Sequence, residues 1–157
     1  PLIILIPMLS PRPKFNEGWN RQAHQQLVDV VNELGQQGPV LFINDRQVVA
    51  LGEVNVPLVY DYEVVTLMEM AMAGNRTYLS RFHDDLASHR FAAIISGRQN
   101  LVIKQEGVFA EENNVWNTFV SPHILCNYQS KMTIEADSTR IEVYVPRTQM
   151  QDCPSGK

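Results

Sequence analysis

Residues 79–97 constrain this chain more than any other stretch. Leu79, Phe82 and Leu86 recur at helical spacing, with charge gathered at Asp84 and Asp85. The pattern then changes to an unbroken apolar run over residues 91–95, the signature of a strand covered on both faces. A helix that feeds directly into a doubly covered strand is half of an α/β unit. The remaining elements have to be arranged around it.

Upstream, Trp19, Ala23, Leu27, Val30, Val31 and Leu34 form one apolar stripe at intervals of three and four, so the spacing predicts an amphipathic helix. Asn16 caps its start, and Gly35 or Gly38 ends it. Residues 39–43 read as a short apolar strand, stopped by Asn44, Asp45 and Arg46. Further apolar runs cover residues 48–51 and 56–60, the latter entered through Pro57, which suits an early or edge position in a strand. Asp61 is placed to cap a helix over residues 62–73, with Val64, Val65, Met68 and Met72 on its inner side and Gly74 beyond its end.

After Gly97 the pattern loosens. Residues 101–103 are a candidate short strand, and Glu111, Glu112, Asn113 and Asn114 read as loop. Ser121 and Pro122 mark a helix start, with Ser as cap and Pro at the first helical position. Two final strands alternate: Met132 and Ile134 against Thr133 and Glu135, then Ile141, Val143 and Val145 against Glu142 and Tyr144. Turn residues 137–139 join them into an antiparallel hairpin. The expected fold is a three-layer α/β/α sandwich whose mainly parallel, Rossmann-like sheet ends in that hairpin. Residues 16–147 form its single domain, residues 1–15 an apolar stub and Pro-rich linker, and residues 148–157 a polar tail. A stub of fewer than ten apolar residues is too short to span a bilayer, and it reads as cut from something longer.

Composition narrows the function classes. A net charge of −4 gives no electrostatic reason to expect a nucleic-acid partner. Two cysteines are too few for a disulfide scaffold or a zinc site. Cys126 and Cys153 make one bridge in an oxidising compartment or stay as two thiols otherwise, and the sequence leaves both open.

Catalytic signatures are sparse. The turns after residues 43 and 95 read Asn-Asp-Arg-Gln and Ser-Gly-Arg-Gln, neither of which cradles a pyrophosphate. His83, Asp84, Asp85 and His89 imitate a metal cluster. On a helix, however, His83 and His89 lie about 120° apart, so the group reads as a solvated face with Asp85–His89 and Arg81–Asp85 surface pairs. Asn75-Arg76-Thr77 is a formal glycosylation sequon after a helix. No serine sits in a nucleophile elbow. No catalytic residue, metal site or cofactor is therefore expected. Ligands of open α/β sheets gather at strand C-terminal ends, which singles out Asn44, Asp45, Arg46, Ser96 and Arg98. The competing reading is that these residues only solubilise loop ends.

One resemblance adds to this reading. It is carried by Gly38-Pro-Val-Leu-Phe-Ile-Asn-Asp45, Leu51-Gly52, Asp61-Tyr-Glu-Val-Val-Thr-Leu-Met68, His89-Arg-Phe-Ala-Ala-Ile-Ile95, Asn127-Tyr128 and Ile141-Glu-Val-Tyr-Val-Pro-Arg147, in that order. Together they resemble the C-terminal soluble domain of bacterial membrane glycosyltransferases of the protein-O-mannosyltransferase-like (GT-C) group, over about residues 1–147. The resemblance implies a parent that transfers sugar from a polyprenyl-phosphate donor outside the cytoplasm. It implies a catalytic acid among that parent's membrane helices and none in this chain. The partners implied are those helices and the donor or acceptor, with Asn44, Asp45, Arg46 and Arg98 as contact candidates. A free-standing small-ligand module or a structural interaction domain remain the alternatives.

Overall fold

The computed structural model describes residues 21–44, 54–136, 139–149 and 153. Its ten elements are α1 (Arg21–Leu34), β1 (Val40–Phe42), β2 (Leu58–Val59), α2 (Val64–Met72), α3 (Arg76–Ala87), β3 (Ala93–Ser96), α4 (Ala110–Phe119), α5 (Ser121–Asn127), β4 (Tyr128–Ala136) and β5 (Thr139–Pro146). The strands form one mixed sheet in the order β2-β1-β3-β5-β4. β1 pairs parallel with β2 and β3, while β5 runs antiparallel to both β3 and β4. The sheet is thus parallel at one end only, because the C-terminal hairpin contributes both antiparallel pairings. The expectation of a mainly parallel sheet is corrected to a mixed one.

Burial follows from that order. β3 is central, and its Ala93, Ile94, Ile95 and Ser96 are all fully buried. Val40, Phe42, Ala93 and Ile95 pack with Ala23, Leu27, Val31 and Leu34 of α1, joined by Ile134, Ile141 and Val143. Leu41, Ile43 and Ile94 point the other way, into Tyr62, Leu67, Phe82, Leu86, Ile124, Tyr128 and Tyr144. This is the period-two alternation of a strand, resolved into two apolar clusters. Gly35 ends α1 where a Cβ would lie 2.4 Å from Val56 Cγ1, so only glycine lets the helix end approach the segment entering β2.

Several elements depart from the sequence expectations. α2 starts at Val64, capped by Glu63, whose carboxylate accepts from the Val65 N–H at 3.1 Å; Asp61 is not the cap. Leu67 and Ala71 face the core, whereas Val65 and Met72 are exposed. The helix is rotated so that its methionine stripe is not the buried one. Residues 110–114 are helix and not loop; Glu111 and Glu112 occupy its first turn, where acidic groups suit the positive end of the helix dipole. Residues 101–103 are not a strand. Ser121 lies inside α5, with Val120 in the capping position.

The alternation of β5 is overridden as well. Glu142 and Tyr144 are buried, at 5% and 2% exposure: β5 lies between β3 and β4, and Tyr144 packs in the cluster with Phe82 and Ile124. Glu142 is accommodated by hydrogen bonds from Ser130 Oγ at 2.7 Å and Thr133 Oγ1 at 3.0 Å, and by Arg140 at 3.5 Å. The expected run at residues 48–51, the Asn16 cap, the stub and linker of residues 1–15 and most of the tail lie outside the described residues. No described helix is long and apolar enough to cross a membrane.

Candidate functional site

The C-terminal edge of β1 and β3 carries a closed network of uncharged polar side chains. Asn44 follows β1, and its Oδ1 accepts from the Gly97 N–H at 3.3 Å and stands 3.5 Å from Ser96 Oγ. Gln99 is at the centre. Its amide nitrogen donates to Ser96 Oγ at 2.6 Å and to the Gly97 carbonyl at 3.0 Å. Its amide oxygen accepts from Trp116 Nε1 at 2.9 Å and from Ser121 Oγ at 2.8 Å. The Gln99 backbone N–H donates to the Tyr144 hydroxyl at 2.8 Å. Every hydrogen-bonding group of Gln99's side chain is therefore engaged, as burial requires.

The loop beyond Gln99 is tied down by asparagines of α4. Asn117 Nδ2 donates to Asn100 Oδ1 at 3.0 Å and to the Val102 carbonyl at 2.6 Å. Asn114 grips Lys104 from both sides, accepting from its N–H and donating to its carbonyl, each at 2.8 Å. Asn113 adds a second donor to the Val102 carbonyl at 2.9 Å. These amides supply the pairing that a neighbouring strand would have given, which is why residues 101–103 are held without forming a strand.

Of the residues singled out by sequence, Asn44 and Ser96 meet here. Arg98 is exposed and lies close enough to Tyr144 to oppose the burial that raises that phenol's pKa. Asp45 and Arg46 lie outside the described residues. Gln99, Trp116, Asn117 and Ser121 were not anticipated. The usable signal was the pair Glu111 and Glu112, which favour the first turn of a helix; over residues 110–119 that helix brings Asn113, Asn114 and Asn117 toward the loop.

Chemically the network is complete in itself. Ser121 Oγ faces two amide oxygens, those of Gln99 and of Asn117 at 3.1 Å, and no base. A hydroxyl so placed is a hydrogen-bond donor and not an activated nucleophile. No group of three or more metal-ligating side chains occurs among the described residues. Gln99→Ala should strand the buried Ser121 hydroxyl and the part-buried Trp116 N–H and cost about 1–3 kcal/mol. Denaturant unfolding would measure it, and a loss below about 0.5 kcal/mol would show that water replaces the amide freely.

The histidine reading needs correction. His83 is not on a solvated face: its ring stacks on His123 of α5, centroids 3.4 Å apart and planes 11° apart, and Nε2 lies 2.8 Å from the Phe119 carbonyl. Burial lowers the pKa of both rings, and the neighbouring His83 lowers His123 further, to about 4. Asp85 pairs with Arg90 at 2.5 Å and accepts from the Tyr62 hydroxyl at 2.6 Å, while Arg81 pairs with Asp61 at 3.4 Å. The expected Asp85–His89 and Arg81–Asp85 pairs are not formed. The reason is that Arg90 and Asp61 arrive from outside the helix.

The histidine stack makes a signed prediction. Above the ordinary histidine pKa both rings are neutral folded or unfolded, so nothing is lost. Between about 6.5 and 4 the unfolded chain takes up protons that folded His123 refuses, and stability falls as pH falls. Tm measured across that window should decline, and His123→Phe should flatten the decline. An equal slope in the variant would acquit the stack.

On the opposite face, α1 and β4 border an open groove of about 840 Å³, lined by Arg21, Gln25, Asp29, Glu33, Lys131 and Met132 among others. Its charges are mixed, and Lys131 pairs with Glu33 at 3.7 Å. Cys126 of α5 is bonded to Cys153, tying the tail to the domain. Comparison with protein families, characterised proteins and solved structures finds no match to this chain.

Proposed function

We propose that this chain is a non-catalytic domain of a bacterial membrane glycosyltransferase, held on the extracytoplasmic (periplasmic) side, whose parent takes sugar from a polyprenyl-phosphate donor. The observation that carries the reading is the self-satisfied network around Gln99. Where an α/β sheet would hold a substrate, the described side chains bond to one another and offer no acid–base pair. The ordered motif resemblance supports this choice of parent. The Cys126–Cys153 bond suits an oxidising compartment. Apolar clusters on both sheet faces, one under α1 and one under α2, α3 and α5, support the three-layer arrangement of such domains.

In this reading the domain stands above the parent's membrane helices. Asn44, Asp45, Arg46 and Arg98 contact the donor head or the acceptor at the strand ends. Two measurements test it. The coding sequence upstream of Pro1 should encode several apolar spans of about 20 residues. Sugar transfer from a polyprenyl-phosphate donor should be present in the full-length protein and absent from the isolated chain. Turnover by the isolated chain would sink the proposal. Full activity with alanine at all four positions would remove only the contact role.

A further inference from the structure

Eight large apolar residues are strongly exposed among the described residues, and five of them lie in one loop: Leu101 (58%), Val102 (66%), Ile103 (54%), Val108 (80%) and Phe109 (69%). Such clustering differs from the scattered exposed leucines and valines of an ordinary surface. The loop is also held rigidly. Val102 and Lys104 are fixed by Asn100, Asn113, Asn114 and Asn117, so the apolar side chains are displayed from a prepared backbone. The chain turns at Gly107 with φ 118°, and Phe109 adopts φ 60°, a left-handed conformation that costs a non-glycine residue about 1 kcal/mol. Phe109 opens α4 from that turn, its carbonyl accepting from the Asn113 N–H at 3.1 Å, while its side chain is left exposed.

We infer that the loop of residues 101–109 inserts its apolar side chains into the interfacial region of a lipid bilayer. The inference rests on the proposed membrane-anchored role and names the surface that the domain meets.

Position is the first argument. Gly35, at the end of α1, lies against Val56 beside the start of β2, so α1 runs antiparallel to the parallel strands. Fourteen residues at 1.5 Å each carry Arg21 toward the strand C-terminal edge, the edge from which β3 releases the loop. The residues ahead of Arg21 include the apolar run of residues 1–9. The apolar loop thus leaves the sheet at the edge toward which α1 points its N-terminal end.

Backbone chemistry is the second argument. Irregular backbone enters a low-dielectric layer at lower cost where its polar groups are already satisfied. In this loop the Val102 and Lys104 N–H and carbonyl groups are all taken by side-chain amides. Size and charge are the third. Five side chains offer roughly a few hundred Å², short of the about 800 Å² per partner of a stable dimer. Arg98 and Lys104 stand among Glu106, Glu111 and Glu112, a balance that suits zwitterionic lipid and gives no attraction to an anionic headgroup.

The test uses the full 157-residue chain. Cys126 and Cys153 are bonded to each other, so Val108→Cys can carry a single NBD label on the loop. With phosphatidylcholine vesicles, NBD emission should shift to the blue and rise several-fold, and doxyl-labelled lipid should quench it. Added salt or anionic lipid should not strengthen it. In the same labelled chain, Leu101→Ser/Ile103→Ser/Phe109→Ser should lower vesicle partitioning by roughly a hundredfold at unchanged Tm, the expected loss for about three apolar side chains. NBD emission that stays at its aqueous value at saturating lipid overturns the inference, even if residues 1–9 bring the chain to the vesicle. Emission that responds only to a second copy of the chain overturns it too. If the loop stays in water while the full-length protein transfers sugar, the transferase reading survives alone. If the loop inserts and the upstream sequence holds no apolar spans, the membrane contact survives alone.

Discussion

Ile94→Asp should abolish the folded state. Ile94 lies in the central strand with no exposure, registered between Leu41 of β1 and Tyr144 of β5, and packed in the cluster of Phe82, Phe91, Ile124 and Tyr128. The buried cluster around it is apolar and aromatic and holds no cation among the described residues. The options are to bury an unpaired charge, which costs several kcal/mol, or to open the sheet. A domain of this size has about 5–15 kcal/mol in total, and the same substitution also removes the isoleucine's packing, worth about 2–5 kcal/mol. The expected observation is loss of the cooperative thermal transition and of near-ultraviolet dichroism. Ile94→Val should keep both, at a cost of about 1 kcal/mol. A sharp transition in the aspartate variant near the wild-type Tm would contradict the central placement of β3.

Breaking the Cys126–Cys153 bond should have the next largest effect. The bond joins positions 27 residues apart, and in the chain-entropy model closing a loop of that length stabilises by about 3.5 kcal/mol. Cys126 is buried at the end of α5, beside the strand that α5 feeds, while Cys153 comes from the tail. Arg147 helps to hold the chain between them, its Nε donating to the Leu125 carbonyl at 2.9 Å and its N–H to the Asn127 carbonyl at 2.9 Å. Those contacts keep part of the tail in place after reduction, so the measured loss should fall somewhat below the entropic figure. Cys126→Ser/Cys153→Ser and the reduced wild-type chain should therefore unfold at similar, lower denaturant concentrations. Thiol counting decides the premise: two reactive thiols in unreduced protein would exclude the bond.

The candidate site was half legible. Asn44 and Ser96 follow from the apolar runs that end there, since a strand's last residue can be placed from its own pattern. Gln99 could not be, because its role depends on Trp116 and Ser121, which lie 17 and 22 residues further on and arrive by way of a helix. That helix was missed because Asn is a poor helix former and Glu-Glu-Asn-Asn looks like loop. Packing overruled the propensity: Val115, Trp116 and Phe119 lie against the core, and three asparagines found backbone partners in the loop.

The sequence by itself determined the elements whose side-chain period is written into neighbouring residues. The stripe of α1, the double-faced run of β3, and the two strands of the C-terminal hairpin are of this kind. Local sterics and the need to bury one stripe or two faces suffice to specify them. Tertiary structure decided what no short window contains. It set which face of α2 is buried, that Glu142 on β5 lies under cover, that Arg90 and not His89 pairs with Asp85, and that His83 stacks on a histidine of α5. For Glu142 and His83 the partner comes from another element, and for Asp85 it comes from the turn that follows α3. A side chain's solvation is set by whatever the fold brings beside it, and nothing in its own sequence neighbourhood encodes that arrival.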